Sequence, residues 1–119
     1  MQYKIAVYTR ISIKDKKCND ETQSIKNQRD IIENFIKNNS DICSSDIFYY
    51  SDEGYSGRTF KRPYFEKLIE DAKEGKINCI IVKDLSRFGR DYIEVNTYLD
   101  KVFPFLNVRF ISINDNYDS

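Results

Sequence analysis

Arg10 and Ser12 stand two positions apart at the end of YKIAVYT, a run that reads as a buried strand. A serine hydroxyl is a weak nucleophile unless a base or a strong positive field activates it. The chain contains no histidine. That absence removes Ser-His-Asp catalysis, Cys-His catalysis and His-ligated zinc. A group of arginines offers another route, because guanidinium groups stabilise a developing alkoxide and the charge on a phosphoryl group under attack. The seven arginines are unevenly placed. Arg10 follows the first strand, Arg58 and Arg62 follow the second, and Arg87 and Arg90 follow the third. Guanidinium forks suit phosphate oxygens, so an anionic phosphate is the natural partner of such a group. The plainer alternative is that these are solvated loop arginines paired with Asp52, Glu53, Asp84 and Asp91, and that Ser12 is a loop or cap serine.

Those residues can act together only if the fold gathers them. Residues 3–9 and 46–51 are rich in β-branched and aromatic side chains and read as strands. INCIIV, residues 77–82, is a continuous apolar run of the kind that suits a central parallel strand covered on both faces. VRFISI, 108–113, reads as a fourth strand. Between them the apolar spacing predicts a helix over about 21–38 with Asp20 as its cap and Gln23 as the capping-box partner. A second starts at Pro63 and stops near Gly75. A third covers about 91–103 and is broken by Pro104. Residues 11–20, the glycine-bearing stretch DEGYSG at 52–57, and the segment around 83–90 read as loops. Strand and helix alternate throughout, which implies an α/β fold with a mostly parallel sheet of four to five strands flanked by helices. Ligands of such sheets bind at the carboxyl ends of the strands, and all three arginine-bearing segments follow strands there.

Bulk composition narrows the partners. A length of 119 residues, 40% of them hydrophobic, favours one domain with a core of its own. Nineteen basic residues balance nineteen acidic ones. Zero net charge disfavours a non-specific polyanion binder while allowing a local basic cleft. The three cysteines, Cys18, Cys43 and Cys79, have no metal-binding spacing and read as reduced thiols, with Cys79 in the core. No stretch approaches the roughly 18 apolar residues of a membrane span. Together with an N-terminus that enters the first strand at once, this gives the expectation of a cytoplasmic location without membrane association. Tyr55 is a weak rival nucleophile, and Asp52 with Glu53 lacks the further ligands a metal site needs.

Four motifs then occur in order: Y-x-R-x-S at 8–12, S-x-x-x-Q at 24–28, D-E-G-x-S-G with a following R-P at 52–63, and S-R-F-G-R-D at 86–91. In this the chain resembles the catalytic domain of the serine recombinases, the resolvase/invertase family, and most of all its large, transposon-type integrases. The resemblance covers essentially the whole chain. It implies a resolvase-like fold and site-specific recombination of double-stranded DNA. Ser12 attacks a DNA phosphodiester and holds the strand as a 5′-phosphoserine, and the broken ends are rejoined after strand exchange. Arg10, Arg62, Arg87 and Arg90 surround the phosphate, and Gln28, Ser24 and Ser56 support the site. Ser86 stands where many members carry an aspartate, so Asp84 is the candidate for that orienting role. The resemblance implies no metal and no cofactor. It also implies that residues 1–119 form a single catalytic domain of a longer protein that acts as a homodimer and a synaptic tetramer. This domain on its own is expected to be monomeric. A phosphate- or nucleotide-binding α/β module without catalysis is the alternative.

Overall fold

The computed structural model describes residues 3–11, 25–40, 42, 46–53, 63–88 and 92–118. Its elements run β1 (Lys4–Ile11), α1 (Ile25–Lys37), β2 (Asp46–Glu53), α2 (Pro63–Lys73), β3 (Cys79–Val82), α3 (Leu85–Phe88), α4 (Tyr92–Thr97), a π-helical turn (Tyr98–Val102), α5 (Phe103–Leu106), β4 (Arg109–Ser112) and β5 (Tyr117–Asp118). The strands form one sheet in the order β2-β1-β3-β4-β5. All neighbours are parallel except the β4–β5 pair.

The two-residue period of a strand sorts the core into two layers. Ile5 and Val7 of β1, with Cys79, Ile81 and Ile111, turn to one face and pack against Ile32, Ile36 and Ile42. Ala6 and Tyr8, with Ile80, Val82 and Phe110, turn to the other and meet Phe65 and Leu68 of α2, Phe88 of α3, and Val95, Leu99 and Phe103 beyond it. Every residue of β3 is buried, as expected of a strand covered on both faces. Cys79 lies in this core, as its apolar surroundings in the sequence suggested. The aromatic layer centres on Phe88, whose ring meets those of Phe65 and Phe110 at 5.0 Å each, edge to face. Helix α2 ends as its sequence predicts. Gly75 takes φ 78°, and the Lys76 N–H reaches back to the Asp71 carbonyl at 2.8 Å, the closing bond of a glycine-terminated helix.

Several local expectations are revised. Residues 52 and 53 belong to β2 rather than to a turn, because the β1–β2 ladder runs on through the Arg10–Asp52 and Ile11–Glu53 rungs. The central strand is shorter than residues 77–82. A one-turn helix, α3, forms inside what read as a loop. Pro104 does not break its helix. The Phe103 N–H bonds to the Tyr98 carbonyl, five residues back, so the ladder restarts there. Pro104 then sits in the first turn of α5, where no N–H is needed. The helix stops at Asn107 instead, in the left-handed region at φ 58°. The fifth strand, β5, pairs antiparallel at the sheet edge. It is fastened by a two-pronged ion pair in which Arg109 Nε and Nη2 reach the Asp118 carboxylate at 2.8 and 2.6 Å.

Candidate active site

The strand order reverses between β1 and β3. The chain leaves β1 for β2 on one side and returns across β1 to β3 on the other. At such a switch point the helices depart in opposite directions and leave a crevice at the carboxyl ends of the strands. The pairing sharpens it. β1 pairs with β2 along its whole length, but with β3 only through Ile5, Ala6 and Val7. From Tyr8 onward none of the described strands pairs with β1 on that side.

Gln28 stands in for the missing strand. Its Nε2 donates to the Arg10 carbonyl at 3.0 Å, and its Oε1 accepts from the Arg10 N–H at 3.2 Å. Both bonds are buried, and Gln28 itself is fully enclosed. One amide side chain thus satisfies the donor and the acceptor of a single strand residue, as a neighbouring strand would. Arg10 and Gln28, which belong to two separate sequence motifs, are therefore in direct contact.

Arg10 lies within β1 rather than after it, and its side chain is 0% exposed. A guanidinium taken out of water is costly unless it faces anions or hydrogen-bond acceptors. By strand parity Arg10 shares a face with Tyr8 and Asp52, and Asp52 is its partner one strand over. Asp52 is also buried. Its Oδ2 accepts from the Tyr8 hydroxyl at 2.8 Å and from the Phe65 N–H at 3.0 Å, while Oδ1 accepts from the Tyr64 N–H at 3.2 Å. A carboxylate at the end of β2 thereby caps the start of α2, where free N–H groups and the helix dipole favour negative charge. Sequence reasoning assigned Asp52 to a turn and missed this role. The signal lay in the alternation of DIFYYSD, which puts Asp52 on the same face as Tyr50.

On the opposite face of β1 and β2, Thr9 and Ser51 share a hydroxyl–hydroxyl bond of 2.7 Å. Arg29 Nη2 donates to Ser51 Oγ at 3.0 Å, and the Arg29 guanidinium lies 4.8 Å over the Tyr49 ring. Arg29 thus braces the strand pair from behind while its neighbour Gln28 holds Arg10. Arg29 was not among the residues singled out from the sequence. Asp84 lies between β3 and α3 and is half-buried. Arg87 belongs to α3. Ser12, Ser24, Ser56, Arg62 and Arg90 lie outside the described residues, as do Arg58, Tyr55, Cys18 and Cys43. Arg62 immediately precedes the capped start of α2.

An open, mostly parallel sheet with a buried arginine beside its switch point defines an α/β domain with a crevice at its carboxyl edge. Residues 5–119 match the family of resolvase N-terminal domains, and the chain belongs to that family. It is 27% identical to the N-terminal catalytic domain of TP901-1 integrase, with a TM-score of 0.81, over 97% of this chain and 80% of that one. A resolvase family site-specific recombinase from Streptococcus pneumoniae is 28% identical, with a TM-score of 0.75, over 99% of this chain and 76% of that one. A protein of Bacillus subtilis (strain 168), named as a candidate DNA recombinase, is 32% identical over 113 residues. The match takes in 95% of this chain and 21% of the Bacillus protein, so the chain spans well under two thirds of that relative's length. Among the described residues no helix is long and apolar enough to cross a membrane.

Proposed function

We infer that this chain is the strand-cutting domain of a site-specific DNA recombinase, with Ser12 as its nucleophile. The observation that carries the reading is the fully buried Arg10, fixed by Gln28 through both backbone groups two residues before Ser12. A side chain that must meet a phosphate in one geometry gains from a rigid mount. In this reading the Ser12 oxygen attacks the phosphorus of a DNA phosphodiester. The bond to the 3′ oxygen breaks, that oxygen leaves as a hydroxyl after taking up a proton, and the 5′ phosphate stays on Ser12. A 3′ hydroxyl later attacks the same phosphorus, reforms a phosphodiester and restores Ser12. One phosphoester replaces another at each step, so no external energy source is required.

Arg10, Arg62, Arg87 and Arg90 neutralise the phosphate oxygens as charge builds on them. Gln28 holds the Arg10 backbone, and Ser24 and Ser56 support the site. Asp84 orients an arginine in place of the aspartate absent at Ser86. The substrate is double-stranded DNA, recombined by a homodimer that assembles into a synaptic tetramer. The present domain is one part of a longer recombinase, a reading supported by the small share of the Bacillus relative that it matches.

The test is the covalent intermediate. The full-length protein, incubated with its target DNA and denatured, should yield protein joined to DNA 5′ ends, and Ser12→Ala should yield none while still binding DNA. An adduct that persists in Ser12→Ala would identify another nucleophile and overturn the assignment.

A further inference from the structure

The turn between β4 and β5 is bonded to the segment that leaves β3. The Ile113 N–H donates to the Val82 carbonyl at 3.1 Å and the Asn114 N–H to the Lys83 carbonyl at 2.8 Å. These two bonds continue the β3–β4 ladder beyond its last rung. Two more are of a different kind. The Leu85 N–H, at the first residue of α3, donates to Asp115 Oδ2 at 2.8 Å. The buried Ser112 hydroxyl donates to the same oxygen at 2.7 Å and fixes where that oxygen lies. The turn is shaped to deliver it. Asn116 adopts φ 52°, a left-handed conformation that asparagine tolerates, and its N–H closes on the Ile113 carbonyl at 3.2 Å.

Helix α3 has four residues, too few to hold a helical turn by its own bonds. Its place is therefore set from outside. At its far end Phe88 is fully buried in the aromatic layer. At its near end a carboxylate 30 positions along the chain receives its first N–H. Arg87 lies between these two anchors. We propose that Asp115 is a positioning residue for Arg87: it fixes the start of α3, and so the placement of the arginine, relative to the crevice at the end of β1. The proposal rests on the reading of Arg87 as a phosphate-binding residue. Asp115 itself is exposed, so its contribution belongs to placement rather than to the core.

The experiment measures the single-turnover rate of covalent protein–DNA adduct formation in the full-length protein at saturating DNA, together with the DNA concentration that gives half the maximal rate. Asp115→Ala should lower the rate by roughly 10- to 100-fold, the scale expected when a reacting group is displaced by about an ångström. The half-saturating concentration should not change. Asp115→Asn, which keeps an acceptor, should restore most of the rate. The double variant Arg87→Ala/Asp115→Ala should be no slower than Arg87→Ala, since a residue that acts through Arg87 has nothing left to position. Losses that multiply in the double variant would show that Asp115 acts elsewhere and would leave the site reading intact. An unchanged rate in Asp115→Ala beside a slow Arg87→Ala would overturn the proposal in the same way. So would an Asp115→Ala protein too unstable to assay, which would make Asp115 a residue of the fold. A wild-type rate in Arg87→Ala would instead remove the site reading, and this proposal with it.

Discussion

Replacing Gln28 with methionine keeps the length and flexibility of the side chain and removes its amide. The Arg10 N–H and C=O then lose their partners at a point where β3 no longer reaches and water is excluded. A buried donor or acceptor left unsatisfied costs about 1–3 kcal/mol, so the two together cost about 2–6 kcal/mol, while the apolar contacts are largely kept. Against a total stability of about 5–15 kcal/mol for a typical domain, a loss near the upper end would leave much of the population unfolded at 37 °C. Urea unfolding followed by far-ultraviolet circular dichroism reads the difference directly, provided the slope of the transition is unchanged. Gln28→Glu supplies the control. A neutral carboxyl at this position reproduces both bonds, whereas a carboxylate sets a second negative oxygen against the Arg10 carbonyl. Its folded pKa should therefore lie above its unfolded value. Relative to wild type, Gln28→Glu should be most stable below the unfolded glutamate pKa of about 4.3 and lose stability as the pH rises through the raised folded value. A Gln28→Met protein within about 1 kcal/mol of wild type would show that the clasp does not hold the end of β1, and the account of a rigidly mounted Arg10 would fail with it.

Two further outcomes follow from the core. Burial, then the 2.5 Å bond from its hydroxyl to Asp71 and the negative charge of that carboxylate, push the Tyr50 phenol well above the ordinary tyrosine range. Stability linked to Tyr50 is complete below the unfolded pKa of about 10 and is lost as the pH rises toward the folded value; ultraviolet titration should find the Tyr50 phenol ionising only as the protein unfolds, and ionisation of all nine tyrosines in the folded state would refute this. Phe88→Ala should cost about 3–5 kcal/mol in denaturant unfolding, because its ring joins Phe65, Tyr98, Phe103 and Phe110; a loss below about 1 kcal/mol would show that the aromatic layer closes over the gap.

The layers of this fold were readable because they depend on periodicity. Alternation in KIAVYT, the unbroken apolar run of CIIV and the helical spacing of Phe65, Leu68 and Ala72 each name the face that is buried. Arg10 and Gln28 were readable as motif members, but their bond was not. It depends on β3 starting to pair at Ile5 and stopping at Val7, a fact of register that no local pattern carries. Asp52 was misread because the glycines at 54 and 57 signal a turn, whereas a ladder with β1 holds the strand straight through Glu53. Pro104 was misread because the rule for proline assumes an unbroken four-residue ladder, and the wide turn at Tyr98–Val102 restarts it. Asp115 is 30 residues from the N–H it receives and sits in a segment of turn residues with no distinguishing pattern.

The unequal pairing of β1 has a mechanical consequence. A strand flanked by strands on both sides moves with the whole sheet, but among the described residues the far half of β1 has a strand beside it only in β2, which is itself an outer strand. Flexing of that pair about Val7 is opposed from both faces, since Tyr8, Thr9 and Arg10 are fully buried. Helix α1 is the stay that limits this flexing, with Gln28 tied to one strand and Arg29 to the other. A load applied to the residues after Ile11, such as tension from a bound polymer, would pass into α1 and the outer edge before it reached β3. The tip of β1 is thus held to one helix by polar bonds as well as by packing, and those bonds can be altered one side chain at a time.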